Sequence, residues 1–337
     1  MNKVLLYTGI VLLILSLFFG NLFYGAVRIP AGDIVDILLG KEVERMAWTN
    51  IILQSRLPQA LTALLTGCAL AVCGLVLQTL FQNPLAGPSI LGISDGANLG
   101  VAIVMLYFGG SIGSPTMFSI GYSLSAMAGA LIGALSVLAL MVYLSARIKS
   151  NIMILIIGIM IGYLASSGIA VLNFLSHADG IRSYVIWGMG SFSTVSMLQM
   201  PFYAMVICCG LGCSILLIKP LNTLLLGEQY AANLGVNITQ TRMAILFIAG
   251  LLIAATTAFC GPISFIGLAV PHIAKLSFNT ANHKTLLPAT LLLGGSVALL
   301  CNMLTILPVG KTILPINAVT PLLGAPVILY VILKKKG

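Results

Sequence analysis

The chain has 337 residues, 59% of them hydrophobic and 7% charged, with a net charge of +9. A soluble domain carries about 25% charged residues, so this composition excludes a soluble domain of useful size and is that of a polytopic membrane protein with about ten helices. The basic residues are scattered at the ends of apolar runs and not gathered on one face, which excludes a nucleic-acid surface and points to membrane topology.

Lys3 is followed by an uncharged run from Val4 to Val27. That run exceeds the roughly 7 to 15 residue core of a cleaved signal and lacks a clean small-x-small site, so it reads as a retained first membrane helix. Arg28 to Arg56 mixes four basic and four acidic residues with Ile34, Val35, Ile37, Leu38 and Leu39, the pattern of an extramembrane loop holding a short amphipathic helix. Leu57 to Ser94 carries no charge and divides at Asn83-Pro84-Leu85-Ala86-Gly87-Pro88, because two prolines and a glycine do not continue a regular helix. Helix 2 therefore ends near Phe81, and Gly92 to Gly96 leads into helix 3. The charge-free run Gly96 to Ala146 holds two helices with a break between Gly109 and Pro115, and Arg147 and Lys149 close the fourth.

Helix 5 runs from about Ile152 to Leu172, and a polar loop around Asn173, His177, Asp179 and Arg182 comes next, with a partial helix before Ser191. Helix 6 covers roughly Val195 to Ile218, and helix 7 covers Met243 to Cys260. A shorter eighth piece runs from Gly261-Pro262 to Pro271-His272 and Lys275; helix 9 occupies Leu286 to Leu307, and helix 10 begins after Pro315 and ends at Lys334 to Lys336. This topology puts ten basic residues on one side (Lys3, Arg147, Lys149, Lys219, Arg242, Lys275, Lys284 and Lys334 to Lys336) and six on the other (Arg28, Lys41, Arg45, Arg56, Arg182 and Lys311). The positive-inside rule then places both termini in the cytoplasm.

Between helices 6 and 7 lies a sizeable polar island, Lys219 to Arg242. Within it Glu228, Gln229, Tyr230, Ala231, Ala232, Asn233 and Leu234 suit a helix, Gly227 precedes them, and Gly235 comes just after, where a left-handed C-cap takes glycine. The segment reads as a short surface helix bracketed by glycines, an ordinary solvated loop being the competing reading. Lys219 and Arg242 read as positive-inside anchors of the flanking helices.

Other features have plain readings. The seven cysteines (Cys68, Cys73, Cys208, Cys209, Cys213, Cys260 and Cys301) include no CxxC pair and read as small core residues. His272 and His283 lack partners at ligand spacing, so no metal site is expected. Gly310-Lys311-Thr312 lacks the first glycine of a phosphate-binding loop, Thr305 standing there, so no nucleotide site is expected in this chain. Gly96/Gly100, Gly129/Gly133 and Gly158/Gly162 have the GxxxG spacing of close helix packing. No nucleophile and base, or paired carboxylates, stand at membrane depth, so an intramembrane enzyme is not expected.

Arg56-Leu57-Pro58-Gln59-Ala60-Leu61, Gly67 through Leu77-Gln78, Asn83-Pro84-Leu85-Ala86 and Leu91-Gly92-Ile93-Ser94 form a first set of motifs. A second set comprises Leu234-Gly235-Val236, the block Gly261-Pro262-Ile263-Ser264-Phe265-Ile266-Gly267-Leu268-Ala269-Val270-Pro271-His272, and Val319-Thr320 with Gly324-Ala325-Pro326. In this order, over nearly the whole chain, they resemble FecCD-type permeases, the membrane subunits of ATP-binding-cassette importers for iron chelates, haem and cobalamin.

The resemblance implies an all-α polytopic bundle forming a single transmembrane permease domain over residues 1–337, with a coupling segment at 219–242. It further implies a second permease copy in a homodimer, two cytoplasmic ATP-binding subunits and an extracytoplasmic substrate-binding protein, in the bacterial cytoplasmic (inner) membrane. No cofactor is then bound by this chain, ATP and Mg belonging to the partner ATPase. The cargo is an iron chelate (ferric siderophore or haem) or cobalamin, with an iron chelate expected as the commonest class. Glu228 to Gly235 corresponds to the coupling helix, Arg56 to a position that meets the binding protein, and Lys311 lies on the same expected face. Asn83, Pro84, Gly92, Gly261, Pro262, Pro271 and His272 belong to the structural motifs.

The chain departs from the pattern at three places. Gln59 stands where relatives often carry a second Arg, and Ile313-Leu314-Pro315 and Asn317 replace Glu-Leu-Pro and a following glycine. From the residues alone Arg56 is either a docking fork for a carboxylate or an interfacial anchor, and Asp95 either a helix N-terminal charge or a substrate contact. The rival from another class is an ion-coupled secondary transporter, which needs ionisable residues inside its spans, and this sequence offers almost none.

Overall fold

The computed structural model describes residues 3–41, 43, 45–108, 118–148, 150–306 and 314–334, and all regular elements among them are helical. In chain order these are α1 (Lys3–Phe23), α2 (Ala31–Leu38), α3 (Met46–Asn50), α4 (Leu57–Leu80), α5 (Ile93–Ala102), α6 (Phe118–Arg147), α7 (Asn151–Leu175) and α8 (Ala178–Gly188). Next come α9 (Met200–Leu216), α10 (Ile218–Leu224), α11 (Glu228–Asn233), α12 (Ile238–Cys260), α13 (Ile266–Phe278), α14 (His283–Thr305) and α15 (Ile316–Lys334). By length and composition six stretches can cross a membrane, and α9 with α10 makes a seventh bent by 53°. Ile93–Phe108, α13 and Ile316–Val331 are apolar but shorter. The expected order of about ten apolar segments is therefore present, but not as ten full-length spans.

Burial separates an interior from a perimeter. The most apolar windows of the stretch through α4, of α12 and of α14 are 83, 72 and 67% buried, against 6, 22 and 17% for α1, α6 and α7. In lipid, apolar side chains gain nothing by leaving one apolar surface for another, so close backbone approach decides which helices pair. Gly67 of α4 meets Gly294 of α14, Gly74 meets Gly267 of α13, and Gly96 and Gly100 of α5 face Gly133 and Gly129 of α6. A methyl group on Gly129 would stand 2.8 Å from the Gly100 carbonyl oxygen. On α7, the Gly158 site lies against the Ile90 carbonyl and the Gly162 site against the Asp95 carboxylate. All three GxxxG pairs thus mark packing, as their spacing implies.

Several boundaries differ from expectation, each for a local reason. The helix that contains α4 begins at Met46 and passes through a π-helical turn, Ile51–Arg56, so Arg56 lies inside a continuous helix and not at the end of a loop. The 28–45 segment does contain the expected amphipathic helix, α2, whose Ile34 and Ile37 pack with Ile29 and Ile52 in a small separate core. Likewise α12 starts at Ile238, because the Asn237 side chain accepts from the Gln240 N–H and caps it. Arg242 is consequently in a helix. Cys208, Cys209 and Cys213 are exposed on α9 and are not core residues as expected, since only one side of α9 packs on α4 and α12; the other four cysteines are buried. The break between Gly109 and Pro115, Ile313, and Lys311 lie outside the described residues.

Candidate functional site

The polar island folds as three pieces. α9 bends at Leu217 into α10, Gly227 turns the chain with φ +100°, and α11 then covers Glu228–Asn233. Gly235 has φ +84°, its N–H bonds the Ala232 carbonyl at 3.0 Å, and the Val236 N–H bonds the Ala231 carbonyl at 3.1 Å. That pair of bonds is a Schellman cap, which demands a left-handed residue where glycine stands. The bracketing glycines read in the sequence therefore end the helix as expected. α11 buries Ala231, while Tyr230 and Leu234 are more than half exposed. An open groove of about 840 Å³ runs beside it, lined by Phe81, Gln82, Ser150, Asn151, Glu228, Tyr230 and Asn233 among others.

α11 is tied to the bundle at its first residue. Asn151 Nδ2 donates to Glu228 Oε1 and, at 2.8 Å, to the Leu80 carbonyl at the end of α4. Arg242 Nη2 reaches the same Glu228 oxygen at 3.4 Å, and its Nη1 donates to the Ile148 carbonyl at 2.7 Å. Arg242 is 2% exposed. A guanidinium this buried requires a carboxylate and carbonyl acceptors, and the fold supplies both. α10 is held separately, where Asn222 Oδ1 accepts from the His283 backbone N–H at 2.8 Å and lies 3.0 Å from its ring. The other ring nitrogen of His283 is 2.9 Å from Thr79 Oγ1, so this histidine joins α10, α14 and α4.

The structural motifs, far apart in sequence, meet around a cleft of about 280 Å³. Asn83 forms a tight turn in which its side chain accepts from the Leu85 N–H at 2.9 Å, and Pro84 presents its carbonyl to His272 Nε2 at 2.8 Å. His272 and Pro271 sit in α13, both buried. Gly92 has φ +70°, and a methyl there would be 2.7 Å from the Gly158 carbonyl, so this position requires glycine twice over. Gly261 and Pro262 open the irregular 261–265 segment ahead of α13. The cleft is lined by Gly87, Ser94, Asp95, Asn98, Pro262, Ser264 and Asn317 among others. Asp95 is in the first turn of α5, where the helix dipole favours a carboxylate.

Asn317, which marked a departure from the expected pattern, has a defined task. Its Oδ1 accepts from the Ser264 N–H at 3.2 Å and its Nδ2 donates to the Pro262 carbonyl at 2.6 Å, so it holds the 261–265 segment against α15. Gln59 is likewise internal: its Nε2 donates to Asn302 at 2.9 Å, and Asn302 donates to Asn21 at 2.8 Å, linking α4, α14 and α1. Arg56, expected to be exposed, is 7% exposed and donates to the carbonyls of Leu22, Phe23 and Val27 at and just past the end of α1. Sequence reasoning missed Asn151 altogether, because an asparagine at a helix start is an ordinary capping residue and only the fold shows what it reaches.

Comparison with known proteins agrees with this architecture. The FecCD transport family model matches residues 11–334. The hemin transport system permease protein HmuU of Yersinia pestis is 36% identical over 86% of this chain and 84% of its own length. The vitamin B12 import system permease protein BtuC of Klebsiella pneumoniae is 32% identical over 98% of this chain and 93% of its own. A solved structure described as an inward-facing conformation of a metal-chelate type ABC transporter superposes with a TM-score of 0.83 at 29% identity, covering 97% of this chain and 98% of that one. With a family model spanning nearly the whole sequence and relatives above 30% identity along most of it, this multi-pass chain belongs to the FecCD transport family, as an ABC importer permease and not an enzyme.

Proposed function

We propose that two copies of this chain form the membrane pathway of an importer that takes up an iron chelate, either a ferric siderophore or haem, or cobalamin. Two ATP-binding subunits dock on α11 from the cytoplasm, and a substrate-binding protein delivers cargo to the opposite face, which carries α2 and the exposed Arg28, Lys41 and Arg45. Both termini lie in the cytoplasm. The observation that carries this reading is the short polar helix standing proud of an apolar bundle, capped by glycines at both ends and pinned by Glu228. A partner that grips such a helix moves the spans joined to it.

The test is uptake in proteoliposomes that contain this permease, its cognate ATP-binding subunits and binding protein, with hemin, a ferric siderophore and cyanocobalamin offered in turn. ATP-dependent accumulation of one of them is expected. Uptake that ignores ATP and collapses with an ionophore would instead establish an ion-coupled secondary transporter.

A further inference from the structure

α11 touches the rest of the molecule lightly, and its attachments are unequal. Ala231 gives it a buried apolar contact, and Glu228 gives it a polar one. The Glu228 carboxylate is 35% exposed and faces Arg242, which is 3% exposed; a second ion pair, Lys41–Asp36, is by contrast largely exposed. The partners of the Glu228 carboxylate come from separate parts of the chain. Asn151 is the first residue of α7, Arg242 lies in the first turns of α12, and through them the node reaches Leu80 at the end of α4 and Ile148 between α6 and α7.

The end of α4 is in turn bound to α10 and continuous with the cleft. Gln82, held at φ +47°, donates to the Leu224 carbonyl of α10 at 3.1 Å, and the next residues form the Asn83 turn that carries Leu85 to the lining of the cleft. Thus one carboxylate sits where α11, α4, α7 and α12 converge, and a connected path of hydrogen bonds and backbone leads from it to the cleft.

We infer that Glu228 is the positioning residue through which displacement of α11 reaches the bundle: by holding Asn151 and Arg242 at once, it makes α11, the end of α4 and the starts of α7 and α12 move as one body. Without the carboxylate, α11 would hang from the Ala231 contact and its two flanking segments, and a partner could move it while the spans stayed behind. This inference rests on the reading of α11 as the ATPase-facing helix.

The test uses the permease assembled with its cognate ATP-binding subunits in proteoliposomes, in a Leu85→Cys background. The rate of labelling by a membrane-impermeant maleimide is compared between nucleotide-free and ATP–vanadate states. Labelling at position 85 should change with nucleotide when Glu228 is intact. In Glu228→Gln and in Asn151→Ala that change should shrink by about tenfold, the scale on which substitutions within a coupling network act, and in Asn151→Ala, which lies outside α11, the ATP-binding subunits should still co-purify and hydrolyse ATP. Retained assembly and hydrolysis separate a transmission role from a merely structural one. An undiminished nucleotide-dependent change in both variants would overturn the inference, as would no change at position 85 with Glu228 intact. Failure of the unmutated permease to assemble with the ATP-binding subunits would overturn the parent reading and this one with it.

Discussion

Replacing Arg56 separates two accounts of what its guanidinium does. Its guanidinium satisfies Leu22 O at 2.7 Å, Phe23 O at 3.3 Å and Val27 O, and the first two are last-turn carbonyls of α1 that have no partner within their own helix. A cation at a helix C-terminus is also favoured by the dipole. A hydrogen bond from a charged donor is worth about 1.5–3 kcal/mol net, so Arg56→Ala, which loses two good bonds and a long one, should cost about 3–5 kcal/mol. Arg56→Lys keeps the charge but not the fork, and should lose about half of that. Gly25→Ala supplies an independent perturbation, because its methyl would stand 2.5 Å from Arg56 Nη2 and displace the guanidinium. Since both changes act on the same contacts, Gly25→Ala and Arg56→Lys should be less than additive. The assay is unfolding in mixed detergent micelles monitored by helicity, with binding-protein affinity measured in parallel. An unchanged unfolding midpoint together with weakened binding-protein affinity would refute the internal role and restore Arg56 as a docking residue.

Further substitutions test the packing, the caps and a buried polar chain. Gly129→Leu should force α5 and α6 apart and cost about 1–3 kcal/mol in the same unfolding assay. Gly188→Ala, where a methyl meets nothing within 4 Å, should be neutral. Gly235→Ala also meets no neighbour, but φ +84° strains any residue with a side chain, so it should cost about 1–2 kcal/mol of α11 stability. Faster amide exchange across α11 and reduced co-purification of the ATP-binding subunits are the expected readouts. Asn302→Leu removes the middle of the Gln59–Asn302–Asn21 chain, and a double-mutant cycle with Gln59→Leu should return a coupling of about 0.6–1.7 kcal/mol, the range for hydrogen bonds between membrane helices.

Much of the architecture was legible because it is written in local chemistry. A run of about twenty apolar residues can only be buried in lipid or protein, a Pro-Gly cluster cannot continue a helix, and a glycine after a polar helix announces a left-handed cap. The glycine pairs on α5, α6 and α7 were equally readable, since spacing alone puts them on one helix face. Charged residues were where the sequence misled. Arg56 and Arg242 sit at the edges of apolar runs, where Arg56 reads as a docking fork or an interfacial anchor and Arg242 as a positive-inside anchor, and both are buried, because a guanidinium can be taken inside once backbone carbonyls or a carboxylate converge on it.

That convergence belongs to tertiary packing alone. Glu228, Asn151, Arg242 and Leu80 are brought together by the fold from positions 80 to 242 of the chain, and no local pattern in any of the four segments anticipates the others. Local chemistry is enough to specify a membrane bundle with a glycine-bracketed helix outside it, because hydropathy and backbone preference act over a few neighbouring residues. Which spans that helix is fastened to depends on contacts between distant segments, and these exist only once the spans have packed.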